Sequence, residues 1–443
     1  MLPKIIDLFS GCGGLTLGFE KAGFDVVAGV ELMPEACQTI SYNLDYRYGK
    51  KQTHLCADIT RLDGDVFKER FGEEGCIVIG GPPCQAYSLA GKAKLKSLGD
   101  DRINTKDKRG YLYQDFLRFV YALDAKAVVM ENVPESTSYG EKNIPETVCR
   151  SLKRHGYEAY WTILNSADYG VPQCRERVFV IGVRSDLGLT VDLPVPTHKC
   201  IDGKQTPYQK RLDSFLQNKY FRMPNSSKEE LPNWVTVGEA FSDLPILFPT
   251  ADSKFVAKKL NEEMDYRCEP QNEFQSLMRN WYGFESYGVT GNAFRNNKRD
   301  FVIFERMKQG DNYLQACRIA DDLFEKEAAV FGYEKDSDDY IRLKKQMVPI
   351  YDRDQFERKW MRLEDNKPSH TLVAHLSKDT YSHIHPTEPR GISVREAARI
   401  QSFPDDFFFD CSMGDAYKQI GNAVPPLLAF GVARSIQKAF SEG

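Results

Sequence analysis

Short apolar runs recur along the N-terminal part of the chain, and a glycine, a proline or an acidic residue follows most of them. The runs are continuous rather than alternating, which is typical of strands buried on both faces of a sheet. Two segments with helical periodicity, Leu15–Ala22 and Tyr111–Leu123, lie between them. The pattern predicts an α/β fold with strands at Lys4–Phe9, Val26–Val30, His54–Ala57, Cys76–Gly80, Ala127–Met130, Gly156–Asn165 and Val178–Val183.

The first strand leads into a glycine-rich turn, Ser10–Gly14, at the start of the first helix. Glycines let the backbone approach a ligand closely, and free amides at a helix start favour an anionic group such as a carboxylate. Glu31 ends the second strand, twenty residues after Gly11, where an acid can bind ribose hydroxyls. Asp58 repeats this placement after the third strand. Polar residues thus follow three successive strands, at Ser10–Gly14, Glu31 and Asp58, and this arrangement suits an adenosine cofactor. Taken alone, Glu31 or Asp58 is explained nearly as well as a plain helix cap.

A thiol follows the fourth strand directly. The stretch Cys76–Ser88 reads CIVIGGPPCQAYS, an apolar run followed by two glycines, two prolines and Cys84. Prolines fix φ and donate no hydrogen bond, so the chain must leave the sheet abruptly with Cys84 at its tip. Ligands bind at that edge of an open α/β sheet. The alternative is a small buried thiol, because free cysteine is among the most buried residue types.

Further polar residues stand at the later strands. Glu131 ends the fifth strand, and Pro134 forces a turn after it, which makes Glu131 a candidate partner for Cys84. Arg175 and Arg177 enter the last of these strands at positions i and i+2, and therefore on one face. Taken alone, the two arginines are explained better by an ion pair on an edge strand.

The composition turns polar and irregular beyond Asp192. Within this region Gly291–Asp311 alternates asparagines and basic residues with aromatic ones, a mixture suited to phosphates and base edges. An ordinary surface helix over Asp300–Lys308 explains much of it equally well. Four of the seven histidines lie between His370 and His385, but no cysteine lies near them, so a metal site is not favoured.

The overall composition indicates a globular protein without an obvious partner. Hydrophobic residues make up 42%, and the net charge of −4 with a pI near 6.1 gives no hint of nucleic acid. Local charge differs, because Gly91–Gly110 holds seven basic against three acidic residues. The overlapping segment Ala90–Lys108 lacks periodicity and predicts a long, mobile, lid-like loop beside Cys84.

The cysteines and the apolar segments bear on the compartment. None of the eleven cysteines forms a C-x-x-C pair, so neither a disulfide framework nor a zinc ribbon is predicted. The chain shows no leader and no apolar stretch long enough for a membrane span. We expect a cytoplasmic protein, associated with the nucleoid if it acts on DNA, in which Cys84 stays reduced.

Six blocks of the chain, in one order, resemble those of the DNA cytosine-5 methyltransferases of the bacterial restriction-modification type. The blocks are DLFSGCGGLTLGFEKAGF (Asp7–Phe24), GGPPCQAYS (Gly80–Ser88), ENVP (Glu131–Pro134), QCRERVFVIG (Gln173–Gly182), REAARIQSFPDDF (Arg395–Phe407) and QIGNAVPP (Gln419–Pro426). The resemblance runs from Asp7 to Val183 and again from Pro368 to Leu428. The region between these parts matches no family.

The resemblance implies a Rossmann-like sheet that binds S-adenosylmethionine, with a smaller inserted target-recognition domain. It divides the chain into a first catalytic part (1–191), the target-recognition domain (192–391) and a hinge with a C-terminal return (392–443). Because blocks from both ends hold one ligand, the catalytic domain is expected to be discontinuous. The cofactor-binding positions it implies are Phe9, Ser10, Gly11, Gly13, Gly14, Glu31, Leu32, Asp58, Ile59, Gly81, Pro82, Leu112, Asn422, Ala423 and Val424.

The resemblance also implies a chemistry. Cys84 would add to carbon-6 of cytosine, Glu131 would donate a proton to ring nitrogen 3, and Arg175 would hold the carbonyl oxygen, with Arg177 in support. No metal is expected. A cytosine within a duplex cannot present its ring face to a thiolate, so the target must be flipped out.

The partners follow from the same resemblance. We expect double-stranded DNA as substrate, a monomeric enzyme, and a cognate restriction endonuclease encoded nearby with no stable complex. The residues predicted to contact DNA are Gln85, Ser88, Lys92, Lys94, Lys96, Asn292, Arg295, Asn296 and Arg299.

Four other readings of these motifs stay open at this point. A tRNA-methylating relative would share Cys84, Glu131 and Arg175, but its expected shorter variable region and its Cys-Phe-Thr are absent. An amino-methyltransferase would show Asn-Pro-Pro-Tyr or Asp-Pro-Pro-Tyr in place of Gly81–Cys84. A non-catalytic regulator on the same scaffold is expected to have lost a catalytic residue. A nucleotide-dependent oxidoreductase leaves the Pro-Pro-Cys unexplained.

Overall fold

The computed structural model describes residues 1–47, 49, 53–83, 111–139, 142–201, 206–247, 259–283, 285–295, 298–350, 352–353, 359–374, 376 and 381–442. By its contacts the chain forms two compact units. The first comprises Met1–Trp234 and Ala423–Gly443, and the second comprises Val235–Asn422. The functional division at residues 192 and 391 concerns target recognition and stays a prediction.

The strands of the described residues are β1 (Lys4–Leu8), β2 (Val26–Glu31), β3 (His54–Cys56), β4 (Cys76–Gly80), β5 (Ala127–Asn132), β6 (Tyr157–Asn165), β7 (Glu176–Arg184), β8 (Met264–Asp265) and β9 (Gly288–Val289). The first seven form one sheet in the order β3-β2-β1-β4-β5-β7-β6. The pairs from β3 through to β5 are parallel, whereas β7 runs antiparallel to both β5 and β6. The predicted α/β class and its seven strands are confirmed.

The α-helices of the described residues are α1 (Gly14–Lys21), α2 (Pro34–Ile40), α3 (Leu112–Ala122), α4 (Ile144–Arg154), α5 (Thr206–Asp213), α6 (Val237–Phe241), α7 (Glu273–Arg279), α8 (Lys298–Phe304), α9 (Tyr313–Phe331), α10 (Asp338–Met347), α11 (Val394–Ile400), α12 (Met413–Asn422) and α13 (Pro426–Glu442). Shorter 3-10 turns include Ile59–Arg61 after β3 and Gly64–Arg70 before β4. Among the residues described, no helix is both long and apolar enough to span a bilayer.

Both faces of the central sheet are covered, which explains the continuous apolar runs. Alternate residues of a strand point to opposite faces. Ile5 and Ile77 pack into one cluster with α1 and α13, whereas Ile6 and Val78 pack into another with α3 and α4. Every residue of β4 is buried.

The last helix packs on the first one through glycines of α1. A Cβ on Gly14 would lie 2.2 Å from the Val424 carbonyl oxygen, and one on Gly18 would lie 2.4 Å from the Ala429 Cβ. Real Cβ atoms do not approach other atoms this closely, so the two backbones meet only because glycine stands there. The C-terminal residues thereby complete the first unit.

The second unit has a different kind of interior. It is built mainly of the helices α6–α12. The one sheet among its described residues is the pair of two-residue strands β8 and β9. One part of its core is aromatic, with the Trp360 ring 5.0 Å from Phe304 and 5.7 Å from Tyr381 in edge-to-face contacts. Another part is charged, because Arg399 lies fully buried between Asp243 and Asp405.

Candidate active site

Two glycines determine how the chain leaves β4. A Cβ on Gly80 would lie 2.0 Å from the Leu8 carbonyl oxygen, and a Cβ on Gly81 would lie 2.8 Å from Oε2 of Glu131. Gly80 therefore permits close approach to β1, and Gly81 permits close approach of the Glu131 carboxylate. The next residue, Pro82, accepts a hydrogen bond from Nδ2 of Asn132 at 3.3 Å.

The predicted nucleophile, Cys84, lies outside the described residues, and so do Gln85, Ser88, Lys92, Lys94 and Lys96. Cys84 follows Gly81 by three residues in the sequence, and Gly81 lies against the Glu131 carboxylate. The predicted partnership of Cys84 with Glu131 stays a prediction.

Glu131 forms a buried charged group with Arg177 of β7 and with Arg175, which directly precedes that strand. The Glu131 carboxylate is 2.9 Å from Nε of Arg177, and both side chains are about nine-tenths buried. Burial raises the pKa of Glu131 above its ordinary value, although Arg177 and Arg175 oppose the shift. Arg175 is fully buried, and its Nη2 donates to the Ala423 carbonyl at 3.1 Å. The structure thus brings Glu131, Arg175 and Arg177 together at the end of β5, next to Gly81.

The turn after β1 has an unusual backbone. Phe9 has a φ of 60°, and Gly11 and Gly13 have φ of 57° and 95°. A left-handed conformation is uncommon in a bulky residue such as phenylalanine, and strain of this kind concentrates at functional sites. The glycines adopt it without cost. Ser10 follows the strained residue, and its amide donates to the Val30 carbonyl at 3.1 Å.

The Glu31 carboxylate lies beside this turn at the end of β2. Its Oε2 accepts a hydrogen bond from the Gly11 amide at 2.9 Å, and its Oε1 accepts one from the Met33 amide at 2.8 Å. Two backbone amides hold the carboxylate in one orientation and leave it further acceptor positions. The neighbouring Leu32 is 62% exposed, which is high for an apolar residue next to a buried sheet.

Asp58 caps the short 3-10 turn after β3. Its Oδ1 accepts from the Thr60 amide at 3.0 Å and from the Thr60 hydroxyl at 2.7 Å. These hydrogen bonds to Thr60 lower the pKa of Asp58. Asp58 therefore acts as a plain helix cap through Oδ1. Its other oxygen, Oδ2, lies 3.6 Å from Nε of Arg61. Ile59, the next residue, is buried.

The remaining predicted cofactor residues divide between the two units. Leu112 begins α3 in the first unit, and Ala423 and Val424 lie in the C-terminal part of that same unit. Asn422 ends α12 in the second unit. The participation of Asn422 in the cofactor site stays a prediction.

The predicted DNA-contacting residues of the second unit lie in differing surroundings. Asn292 is only 1% exposed, and its Nδ2 donates to the Val289 carbonyl at 2.8 Å. In this conformation its side chain supports its own backbone, and its contact with DNA stays a prediction. Arg299 pairs through Nε with Asp300 at 2.6 Å. Arg295 is partly exposed, and Asn296 lies outside the described residues.

The sequence reasoning missed a buried polar row beneath the cofactor edge. Asp7, Gly29 and His54 lie in register across β1, β2 and β3. Asp7 is fully buried and accepts a short hydrogen bond from the Thr16 hydroxyl, and burial raises its pKa to about 7. A Cβ on Gly29 would lie 2.2 Å from the His54 ring, whose Nδ1 is 3.0 Å from Asp45. The sequence feature that could have revealed this row is Asp7, an aspartate inside the apolar first strand.

Metal-ligating side chains do not gather here. In the part of the chain that the structure describes, no three His, Cys, Asp or Glu side chains are grouped so that they could hold a metal ion. His370 and His383, which the sequence singled out, stack with ring centroids 4.0 Å apart in the second unit.

Comparisons with known proteins agree with one another. The family model described as C-5 cytosine-specific DNA methylase matches residues 3–438. The chain is 52% identical over 447 residues to a protein of Oceanobacillus iheyensis named as a candidate type II methyltransferase, with coverage of 100% of this chain and 97% of that protein. It is 31% identical to the type II methyltransferase M.DdeI of Desulfomicrobium norvegicum, covering 99% of this chain and 89% of the relative.

A solved structure resembles the whole chain. It is a candidate DNA modification methyltransferase encoded within a prophage of Escherichia coli, with a TM-score of 0.66, 23% identity and coverage of 99% of both chains. At this identity the likeness concerns the fold alone.

Proposed function

This chain belongs to the C-5 cytosine-specific DNA methylase family, and we propose that it methylates a cytosine flipped out of a specific duplex sequence, through a covalent adduct with Cys84. The observation that carries the proposal is the group formed by Glu131, Arg175 and Arg177 against Gly81, which precedes Cys84 by three residues in the sequence. The family implies S-adenosylmethionine as the methyl donor.

The nucleophile is needed because carbon-5 of cytosine reacts too weakly by itself. Addition of the Cys84 thiolate to carbon-6 pushes electrons into the ring, so that carbon-5 becomes nucleophilic. Once carbon-5 carries the methyl group, its proton passes to water, the electron pair of that C–H bond restores the double bond between carbon-5 and carbon-6, and the thiolate departs. Ring nitrogen 3 returns its proton to Glu131. The two prolines before Cys84 support this role, because they keep the backbone at the strand end from continuing the sheet.

Glu131 acts as the proton donor to ring nitrogen 3. Negative charge builds on the ring when the thiolate adds, and a protonated carboxyl relieves it. Burial raises the pKa of Glu131, which favours the protonated form. The Arg177 contact, at 2.9 Å, keeps the carboxyl group in place.

Arg175 holds the cytosine carbonyl oxygen. Its Nη2 donates to the Ala423 carbonyl at 3.1 Å. That contact anchors the side chain to the C-terminal segment of the first unit. Arg177 touches Glu131 and is a supporting residue in this scheme.

The cofactor edge fits S-adenosylmethionine. When bound, the cofactor supplies an electrophilic methyl group on a sulfonium. The amide-held carboxylate of Glu31 suits ribose hydroxyls, and the open backbone at Gly11, where an added Cβ meets nothing within 4 Å, leaves room for the ligand. The exposed Leu32 offers an apolar surface beside Glu31. The proposed set also contains Phe9, Ser10, Gly13, Gly14, Asp58, Ile59, Gly81, Pro82, Leu112, Asn422, Ala423 and Val424.

Target choice is assigned to residues 192–391, which lie between the family blocks that carry the chemistry. Asn and Arg side chains suit adenine and guanine edges, at about 1–3 kcal/mol of discrimination for each good pair. A chimaera that carries residues 192–391 in a related enzyme should acquire the recognition sequence of this chain. A folded, active chimaera that keeps its host's sequence in bisulfite reads would contradict the assignment.

We further infer the setting in which the enzyme works. It acts as a monomer on double-stranded DNA at the nucleoid in the cytoplasm. A restriction endonuclease encoded nearby shares its recognition sequence without a stable complex. The type II relatives support this setting.

The test of the mechanism is a trapping experiment with Cys84→Ala. A duplex with 5-fluorocytosine at the target should trap the wild-type enzyme covalently, because fluorine cannot leave as a proton does. Cys84→Ala should form no adduct and transfer no tritiated methyl group, while its affinity for S-adenosylmethionine stays close to that of the wild type. Cys268→Ala is the matched control, since Cys268 is an exposed cysteine of the second unit. Methyl transfer by Cys84→Ala would refute the covalent route.

A second variant tests the acid. Glu131→Gln should lower kcat by about 10²–10⁴-fold, the usual range for a positioned general acid. Because the wild-type reaction needs protonated Glu131, its kcat should fall as pH rises through the raised pKa, and Glu131→Gln should lack this limb. Near-normal turnover by Glu131→Gln would remove Glu131 from the role.

A further inference from the structure

Arg118 ties α3 to the turn that follows β3. Its Nη1 donates to the Leu62 carbonyl at 2.8 Å, and its Nη2 donates to the Ile59 carbonyl at 2.9 Å. We propose that Arg118 is a positioning residue for the cofactor, because it holds the turn from Asp58 to Leu62 in shape. The inference rests on the proposed function, in which Asp58 and Ile59 bind the adenosyl group.

The turn is held at both of its ends. At the start, the Asp58 carboxylate accepts from the amide and the hydroxyl of Thr60. At the end, carbonyls of so short a helix lack partners of their own, and external donors must satisfy them. Among the described residues, the Ile59 carbonyl accepts one 3.2 Å hydrogen bond from the Leu62 amide besides the one from Arg118. Arg118 therefore supplies the support that the backbone of the turn cannot.

The helix that carries Arg118 is itself firmly seated on the neighbouring segment. The ring of Phe119 packs on that of Phe67 with centroids 6.0 Å apart. A Cβ on Gly64 would lie 2.7 Å from the Ala122 Cβ, so the glycine lets α3 approach closely. These contacts give the guanidinium a fixed base from which to hold the turn.

The guanidinium is also oriented on its own helix. Asp115 lies three residues earlier, and its Oδ1 accepts from Nη2 of Arg118 at 3.3 Å. A planar guanidinium presents donors in a fixed fork, so one side chain can serve two carbonyls at once. Lysine, with a single ammonium on a flexible stem, cannot hold both in the same geometry.

The placement of α3 links two parts of the proposed cofactor site. Leu112 precedes Asp115 by three residues, and Asp115 precedes Arg118 by three, so each of these two neighbouring pairs shares a face of the helix. Leu112 is a proposed cofactor contact, and Arg118 supports another such contact through Ile59. Arg118 thus acts on the cofactor through the turn and touches no reacting atom.

The experiment measures cofactor affinity and turnover in the full chain. Arg118→Gln should raise the calorimetric Kd and the KM for S-adenosylmethionine about tenfold, as the loss of one or two charged hydrogen bonds implies. At saturating cofactor, kcat and the KM for DNA should stay within about twofold of the wild type. Arg118→Lys should recover part of the affinity. Lys68→Gln, in the neighbouring 3-10 segment with its side chain 53% exposed, is the control and should bind like the wild type.

Two results would overturn the proposal. One is an unchanged Kd in Arg118→Gln. The other is a kcat that falls as far as the affinity, which marks a general loss of structure. Should Arg118→Gln fail to fold, Arg118→Lys keeps the test open: the Arg61 and Leu62 amides should exchange hydrogen faster than in the wild type and slow again with S-adenosylmethionine. Equal exchange rates overturn the proposal.

Asp58→Ala separates this proposal from the one on which it rests. Weaker cofactor binding in Asp58→Ala together with unchanged binding in Arg118→Gln overturns only the role of Arg118. Unchanged binding in Asp58→Ala removes the turn from the cofactor site, and the positioning role of Arg118 falls with it.

Discussion

In the first unit Asp7 lies fully buried with Thr16 as its hydrogen-bonding neighbour, whereas in the second unit Glu396 lies equally buried against Arg390. Burial raises the pKa of Asp7 to about 7. Burial acts on Glu396 in the same direction, but Arg390 and His385 outweigh it and lower the pKa of Glu396 to about 2. Two carboxyl groups that are equally buried therefore have pKa values shifted in opposite directions.

This difference in pKa corresponds to different roles of the buried acids in the two units. At the strand ends of the first unit, Glu131 also has a raised pKa, which the proposed proton donation requires. In the second unit the buried acids are ion-paired, as Asp405 is with Arg399 at 2.6 Å, and their charge is part of the packing. At Glu131 burial outweighs the nearby Arg177 and Arg175 and raises the pKa, whereas at Glu396 and Asp405 the attraction of the paired arginines outweighs burial and lowers it.

The largest effect should come from breaking the arginine network. Arg399→Met leaves Asp405 buried without its ion-pair partner and Asp243 paired with Arg279 alone, and breaking a buried pair in this way typically costs about 3–5 kcal/mol of unfolding free energy. Hydrogen exchange should accelerate across residues 235–422 and change little across the sheet of the first unit. Arg306→Met, which removes an exposed ion pair with Glu305, is the control and should cost less than about 1 kcal/mol. Equal protection in Arg399→Met and wild type would contradict the comparison.

The next effect concerns Asp7 and pH. The folded-state pKa of Asp7, about 7, lies above its unfolded value of about 3.9. The stabilisation is therefore fully present below about pH 4 and is lost as pH rises toward 7, by up to about 4 kcal/mol. Asp7→Asn has no such titration and can still accept from Thr16. The unfolding free energy of Asp7→Asn relative to that of the wild type, measured by denaturant titration, should therefore increase from pH 5 to pH 8.

Glu396 should show the opposite sign. Its folded-state pKa, about 2, lies below the unfolded value of about 4.3, so its stabilisation is present above pH 4.3 and is lost as pH falls toward 2. Glu396→Gln should therefore lose on the order of 3 kcal/mol at neutral pH and less at pH 3. Exchange measured in residues 235–422 reports the second unit directly. A variant that destabilises equally at both pH values would show that hydrogen bonding, not charge, holds the Arg390 pair.

The contrast also explains which parts of the molecule the sequence could predict. The seven strands of the first unit were predicted because burial on both faces leaves apolar runs that any local window detects. Asp243 and Arg399 are 156 residues apart, and no local pattern indicates their pairing. The burial of Asn292 on its own backbone could not be predicted, because composition does not reveal which way a polar residue faces, and its contact with DNA stays a prediction.

The candidate site was predictable only in part for the same reason. Glu131, Arg175 and Arg177 were singled out by family blocks, whereas their closeness depends on β7 pairing antiparallel with β5. The Arg118 contacts with Ile59 and Leu62 span 59 and 56 residues and carry no motif. The sequence shows glycines at Gly80 and Gly81, but it does not show which atoms require them. These atoms are the Leu8 carbonyl of β1 and the carboxylate of Glu131.

The smallest effect we predict tests how the first unit is closed by backbone packing rather than by charge. Gly18 faces α13, and an added Cβ would lie 2.4 Å from the Ala429 Cβ and 2.5 Å from the Phe430 amide nitrogen. Because one of these atoms belongs to the backbone, the helices must separate, at a cost of about 1–3 kcal/mol. Helix propensity acts in the other direction, since alanine is favoured over glycine by up to about 1 kcal/mol.

Gly18→Ala should therefore lower the unfolding free energy, and hydrogen exchange should show α13 loosening before the sheet does. Gly72→Ala is the control, because a Cβ there would meet only the flexible side chain of Glu74, at 3.1 Å. If Gly18→Ala proved as stable as Gly72→Ala, α1 and α13 would be free to move apart without loss. Close backbone contact would then not be what joins the two ends of the chain, and side-chain burial around Leu428 and Val432 would have to account for it.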